Sequence, residues 1–481
     1  MNLALELDIL RIENQELKAK NLLLENSLEE MSIKLTEISS QLEEALKKLN
    51  KNSSNSSKPP SSDFVRKTSS LRVTSNKKVG GQQGHLGSTL EKSLKVDDII
   101  VHAVTCCSGC GNDLKGLPAK EIDSHQVFDL PKITIQVTEH RAEIKCCPNC
   151  GKQTKALFPE EALQPTQYGS NVKSLACYLS NYQLLPYKRC SQLIKDLFGH
   201  NISVSSLAKF NNELSFLLNP FEESIKEALL FCVLIHFDET GFYFKDKRNW
   251  LHVACNEFIT YYFTHQKRGR EAMIEMGILN NYKNKALHDF WSSYMDEDFD
   301  CEHYLCNVHH LRDLKFCYEN EKSIWANKMS DLLMKMKKSV EDTIANELKN
   351  ISEIELQDFL SQYEELLEEG KIEHPLPNKE EGKRGKVKKT KSRNLLERFE
   401  KHKESILGFL KDFQIPFGNN LAEQAIRMTK VKQKISGCFR SELGAENFAK
   451  IRSYIETMRK NDIDIMDAIN LAMKGKPIMP F

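Results

Sequence analysis

Residues 232–244, CVLIHFDETGFYF, constrain the fold more than any other part of the chain. A short run of Val, Leu, Ile and Phe favours a strand buried on both faces. It cannot lie at the surface, so further strands and helices must cover it. The run then meets an acidic pair, Asp238 and Glu239, and a glycine, Gly241. An aspartate at the rim of a buried sheet costs desolvation energy unless something cationic faces it. Asp238 is therefore read as the first ligand of a catalytic metal pair. A capping or turn aspartate at a strand end is the alternative.

Downstream residues bear on that choice. NWLHVACN and FITYYFTH read as two further strands, and residues 270–279 as a helix. KALHDFW, 285–291, is a short strand ending at a second acid, Asp289, and HYLCNVHHL, 303–311, is read as another strand. Three antiparallel strands, a helix, and then strands carrying a second acid follow a ribonuclease-H-like order. Asp238 and Asp289, each where an apolar strand ends, can share one metal site. Residues 320–415 are helical and charged, an insertion broken by KRGKVKKTKSR at 383–393. That basic run is either a solvated loop or a grip on a DNA backbone. Asn419 or Asn420 can then start a helix. On it Glu423, Arg427, Lys430 and Lys434 fall along one face. This fits metal binding beside a phosphate track, or a surface helix with an internal Glu423–Arg427 pair. Glu442, Glu446 and Glu456 are rival third acids.

The N-terminal part is modular. Leu3, Leu10, Leu17, Leu24, Met31 and Ile38 recur every seven residues, and Leu7, Leu28, Leu35, Leu42 and Leu49 fill the second seam with Asn14 and Asn21. Such heptads predict a coiled coil over residues 1–50, and the asparagines favour parallel dimers. KNSSNSSKPPSS and a basic stretch with GGQQGHLG make residues 51–100 a linker. Its glycines either let the backbone approach phosphates or form a solvated loop. Cys107 and Cys110, with Cys147 and Cys150, form two Cys-x-x-Cys pairs, each followed by glycine. Four thiolates suit one closed, structural Zn²⁺ site, a zinc ribbon over residues 101–160 with strands expected in 125–145. Cys106 and Cys146 are spare thiols, and a redox dithiol is the alternative. Residues 165–229 are helical. Their helix, turn and helix at 184–214 suit a helix-turn-helix, with Ser205, Ser206 and Lys209 toward DNA, or an ordinary α-hairpin. The core is placed at 230–460 and a C-terminal tail at 461–481.

A net charge of +1 leaves partners to local patches. No apolar run of roughly 18 residues predicts a membrane span, and the acidic N-terminus is not a secretory signal, so a cytoplasmic protein is expected. The 14 cysteines then read as free thiols or metal ligands.

NSSNSSKPPSSD, GGQQGHLG, the cysteine pairs, HFDETGFYF, ALHDFWSSY, CNVHHLRDL, and NNLAEQAIRMTKVKQKISGCFRS with GAENFAKIRSYIET stand in an order that resembles one known family. It is that of the insertion-sequence-66 (IS66) type DDE transposases encoded by the third reading frame of those elements. The resemblance implies a multidomain α+β protein with a ribonuclease-H-like catalytic core. It implies Asp238, Asp289 and Glu423 as the triad, with two Mg²⁺ ions as cofactor. It implies that Cys306 and His309 shape the site; the spacing read above, not the resemblance, makes Arg427, Lys430, Lys434 and Lys209 the expected DNA contacts. The partners implied are element ends, target DNA, a second copy of the chain and small accessory proteins, in a nucleoid-associated setting. Two departures from the family stand out: Gly418 replaces an aspartate, and Gln424 an arginine. They leave room for a decayed or domesticated copy that binds DNA without cutting it.

Overall fold

The computed structural model describes residues 3–52, 55, 89–131, 133–244, 247–377, 387 and 389–480. The basic stretch of the linker with its glycine motif, and residues 383–386 and 388 of the second basic run, lie outside the described residues. The chain forms two compact units. One comprises residues 67–139 and 193–201, and the other comprises the rest of the chain.

The heptad region is one helix, α1 (Leu3–Leu49). At 47 residues it is about 70 Å long. Leu17, Leu24, Leu28, Leu35, Ile38 and Leu42 are all exposed along it. A short antiparallel hairpin, β1 (Ile144–Cys146) and β2 (Gln153–Lys155), follows the linker. Among the described residues of 125–143 no strand forms. The alternating Val127 and Val137 there are 90% and 89% exposed, so no buried face answers their pattern.

Four helices come next: α2 (Ser170–Cys177), α3 (Tyr187–Phe198), α4 (Val204–Leu217) and α5 (Asn219–Leu230). Gly199 takes the left-handed conformation at φ 69° just past α3. Ser203 caps α4 by accepting from Ser206 N–H.

The expected buried strand is β3 (Leu234–Phe244), the centre of a five-stranded sheet. It pairs antiparallel with β4 (Lys247–Cys255), which pairs antiparallel with β5 (Thr260–His265). After α6 (Arg270–Met276), β6 (Lys285–His288) returns parallel to β3, and β7 (Glu302–Leu305) is parallel to β6. The spatial order is β5-β4-β3-β6-β7.

The fifth expected strand of the sheet is shorter than the sequence suggests. It stops at Leu305, and Cys306 begins α7 (Asn307–Glu321). The physical reason lies in Asn307. It is buried, its Nδ2 donates to Ile406 O at 2.9 Å, and its backbone N–H donates to Phe417 O at 3.0 Å. With those partners fixed, the chain turns into a helix instead of extending.

Helices α8 (Ile324–Ala345), α9 (Glu353–Glu373), α10 (Lys391–Lys401) and α11 (Lys403–Lys411) follow. They bury Trp325, Tyr363 and Phe399 in a core that extends to Leu305. The chain then returns to the sheet as α12 (Asn420–Ser436) and α13 (Glu442–Lys460), and ends with α14 (Ile465–Met473). Ala422 and Ile426 of α12 pack with Phe242, Leu251 and Val253 in one apolar cluster, which fixes the helix against β3 and β4. The edge strand β5 is covered by α13: Ser453 Oγ accepts from Tyr262 N–H at 2.9 Å and Thr457 Oγ1 from Thr260 N–H at 3.2 Å. Such cover removes a sticky edge. Among the described residues no helix is long and apolar enough to cross a membrane.

Candidate functional site

The parallel ladders of β3, β6 and β7 stop side by side, and chemistry-bearing residues follow each stop. β3 keeps its antiparallel ladder with β4 as far as Phe244, but its parallel ladder with β6 stops at His236. Asp238 is thus inside a strand rather than at its end, two residues beyond the last parallel pair. It still stands at the rim, but only on the β6 side. Asp289 follows the last residue of β6, and Cys306 follows the last residue of β7. In sheets of this kind the crevice beyond the carboxyl ends of parallel strands is where ligands bind.

Alternation along β3 sends neighbouring side chains to opposite faces. His236 and Asp238 face α12. Glu239 faces the other way and is almost fully buried. Its Oε1 accepts from Arg268 Nε at 2.6 Å and its Oε2 from Tyr294 O–H at 2.6 Å. Burial, and next the Asp289 charge, push the Glu239 carboxyl up to about 7, against the pull of Arg268 and Tyr294. The Arg268 guanidinium lies 3.9 Å from the Trp291 ring centre and 5.1 Å from that of Trp250, and 3.9 Å from Asp289 Oδ2. Asp289 Oδ1 also accepts from Trp291 N–H at 3.1 Å.

Asp238 is held well above the usual carboxylate range, first by burial and then by the charges of Glu239, Asp289 and Glu423. One local bond opposes this, from Glu239 N–H to Asp238 Oδ1 at 2.8 Å. Asp238 is therefore within electrostatic reach of both other acids proposed from the sequence. The rival acids are otherwise engaged. Glu456 is buried between Arg452 and Arg459, Glu442 opens α13 behind its Ser441 cap, and Glu446 lies further along that helix.

Glu423 sits in the first turn of α12, and its N–H donates to Asn419 O at 3.1 Å. Asn419 is the helix cap, but its side chain is used at longer range. Asn419 Nδ2 donates to Phe237 O at 2.7 Å, and Oδ1 meets His236 Nδ1 at 2.9 Å. Its backbone N–H donates to Cys306 Sγ at 3.2 Å. One buried asparagine thus ties the helix of Glu423 to the strand of Asp238 and to the end of β7. Preceding it, Gly418 has a local reason: a Cβ there would meet Val308 Cγ2 at 2.7 Å.

Cys306 and His309 occupy the cap and third position of α7, and His309 N–H donates to Cys306 O at 3.2 Å. His309 Nδ1 lies 3.9 Å from Glu423 Oε1, too far for a hydrogen bond. Both atoms are shielded from water and neither has a hydrogen-bond partner. Cys306, His309 and Glu423 offer ligand atoms all within 4.8 Å of one another. Burial pushes the Cys306 thiol up to about 11.

Of the expected DNA contacts, Arg427, Lys434 and Lys209 are exposed. Lys430 differs: its ammonium donates to Gly241 O on β3, so packing has taken it out of an open cationic row. Sequence reasoning passed over Arg268, Tyr294, His236 and the side chain of Asn419. None has a partner near it in the chain that could have marked it.

The cysteine pairs have matching local geometry. In the first, Cys107 N–H donates to Asn112 O and Gly111 N–H to Cys107 O, each at 2.9 Å. In the second, Cys147 N–H donates to Lys152 O and Gly151 N–H to Cys147 O, again at 2.9 Å. Gly111 and Gly151 take φ 75° and 69°, which other residues rarely adopt. Backbone N–H groups within each turn lower the pKa of Cys107 and Cys147: those of Cys110 and Gly109 in one, Asn149 and Cys150 in the other. Loops that favour a thiolate in this way suit Zn²⁺. Of the spare thiols, Cys146 donates to Gly151 O at 3.2 Å, and Cys106 bridges to Asp113 through the backbone.

These features define a mixed helical and sheet protein with cysteine knuckles and an acidic cluster at the ends of parallel strands. A model described as the transposase IS66 family matches residues 165–447, more than half of the chain. The chain belongs to the IS66 family of transposases. The zinc-finger binding domain of transposase IS66 matches residues 105–151, which contain both knuckles. A family of unknown function, DUF6444, matches residues 4–91. No curated protein matches the chain.

Proposed function

We propose that this chain is the DNA transposase of an insertion sequence, cutting element ends and joining them to target DNA from a ribonuclease-H-like core. One observation carries the reading. Asp238, Asp289 and Glu423 come from distant parts of the chain, yet after burial and Glu239 the charges of the other two help to raise the Asp238 carboxyl. Gathering carboxylates in a half-buried place is unfavourable without a cation. Their hard oxygen donors suit Mg²⁺. When bound, two Mg²⁺ ions activate water or a 3′-hydroxyl and steady both the attacking and the leaving oxygen of an in-line displacement. Asp238, Asp289 and Glu423 are the residues that would hold them. Asn419 keeps Glu423 in register with β3. Arg268, anchored on Glu239 and packed against two tryptophans, offers a fixed positive charge beside Asp289 for a phosphate.

The other modules serve DNA and assembly. The knuckles Cys107/Cys110 and Cys147/Cys150 bind structural zinc and, with exposed Lys209, Arg427 and Lys434, hold element ends. The exposed apolar stripe of α1 supports pairing with a second copy as a coiled coil. A decayed copy was suggested by Gly418 and Gln424. Gly418 fits its neighbour Val308, and Gln424 is exposed.

The test is a strand-transfer assay with the full chain, Mg²⁺ and labelled DNA bearing the inverted repeats that flank the gene. Joined products are expected. DNA that is bound but neither cut nor joined would favour the decayed-copy reading.

A further inference from the structure

We infer that Cys306, His309 and Glu423 form a second cation site, for a thiophilic divalent ion of the Zn²⁺ class, beside the oxygen-ligated Mg²⁺ positions at Asp238 and Asp289 and sharing Glu423 with them. The first observation is composition. A thiol, an imidazole and a carboxylate are the donor types that Zn²⁺, Co²⁺ and Fe²⁺ take, whereas Mg²⁺ avoids sulfur. The second is geometry. The three ligand atoms lie within 4.8 Å of one another, and the His309 and Glu423 atoms are 3.9 Å apart. Around a tetrahedral zinc, neighbouring ligand atoms are roughly 3.3–3.6 Å apart, given bonds of about 2.0–2.3 Å. Side-chain adjustments of up to about 1.5 Å close the set.

The third observation concerns what these atoms lack. His309 Nδ1 and Glu423 Oε1 face each other, screened from water and without a hydrogen-bond partner, at a separation too long for one. Buried polar atoms are nearly always satisfied, and a shared ion satisfies both at once. Cys306 Sγ already accepts the Asn419 N–H, a bond that steadies a thiolate. The backbone supports the arrangement. Cys306 and His309 are three apart at the start of α7, which brings them to one side of the helix, and α12 carries Glu423 across. On binding, the Cys306 S–H bond gives way to a sulfur–metal bond and its proton leaves to solvent. Three protein ligands leave the fourth position open to water.

The inference does not need strand cleavage to be correct, only these three residues. The experiment counts metal in the full-length protein by mass spectrometry and records absorption after Co²⁺ exchange. Wild type is expected to hold one ion per chain more than Cys306→Ser and one more than His309→Ala. Both variants should lose part of the sulfur-to-cobalt charge-transfer band. Asp238→Asn should keep the full count. If Cys306→Ser does not fold, His309→Ala alone gives the count. Equal ion counts and identical cobalt spectra in wild type and His309→Ala overturn the inference, as does loss of the ion in Asp238→Asn. A lowered count in the two variants together with no strand transfer by wild type would uphold this site and sink the transposition reading.

Discussion

Asn419→Ala removes the tie between the strand of Asp238 and the helix of Glu423 while leaving the backbone bond to Cys306 in place. Asn419 is 1% exposed. Its Nδ2 donates to Phe237 O at 2.7 Å, so its Oδ1 is the acceptor toward His236, which must carry its proton on Nδ1. The variant leaves a buried carbonyl and a buried imidazole N–H unpaired. Each such loss costs roughly 1–3 kcal/mol, so about 2–5 kcal/mol is expected in total. In a chain of this size 1 kcal/mol moves Tm by roughly 2–4 °C, which puts the drop near 10 °C. Glu423 lies one turn beyond the lost anchor, and a misplacement of about 1 Å can cost on the order of 100-fold in rate. Scanning calorimetry and strand cleavage on element-end DNA read the two effects separately. Asn419→Asp keeps the shape but sets a second acceptor against Phe237 O, and it should be no better than alanine. Wild-type Tm and wild-type cleavage in Asn419→Ala would refute the claim that this side chain holds the site together.

Three other perturbations test different parts of the account. Burial and neighbouring acids raise the carboxyls of Asp238 and Glu239, the latter to about 7, so between about pH 4 and pH 7 the folded protein binds protons that the unfolded chain has released. Metal-free protein should therefore lose stability as pH rises through that window; Asp238→Asn should flatten the loss in pH-dependent denaturant melts and abolish cleavage. Gly418→Asp, which restores the residue usual in the family, forces a Cβ to 2.7 Å from Val308 Cγ2. It should destabilise by roughly 1–3 kcal/mol, and adding Val308→Ala should recover most of that; additive losses in the double variant would contradict the contact. Cys107→Ser should lower zinc content and weaken end binding, read by metal analysis and by mobility shift; wild-type zinc in that variant would remove Cys107 from the ligand set.

Much of the sheet was legible because its signals are local. The run at 232–237 has no polar residue before His236, and the apolar residues of α12 repeat at helical spacing between two glycines. Two stretches misled for one shared reason, since alternation predicts a strand only where a partner exists. The alternating residues near Val127 and Val137 have no buried face. The chain after Leu305 had the backbone N–H of Asn307 claimed by Phe417 and its side chain by Ile406, about a hundred residues downstream, and became a helix. The acids themselves could be read from the sequence, as carboxylates that follow apolar strands. What supports them could not. Glu239 finds Arg268 and Tyr294, and Asn419 finds His236 and Phe237, only once the sheet is assembled. Lys430 shows the reverse: its spacing in the sequence put it in a cationic row, and packing turned it to Gly241.

The central claim is that three distant carboxylates meet around divalent ions. Anomalous scattering from Mn²⁺ in crystals of the full chain bound to element-end DNA tests it most directly. The account predicts two peaks roughly 3.5–4 Å apart, with Asp238 touching both and Asp289 and Glu423 one each. Manganese absent from Asp238, or held there without Asp289 and Glu423, would contradict it.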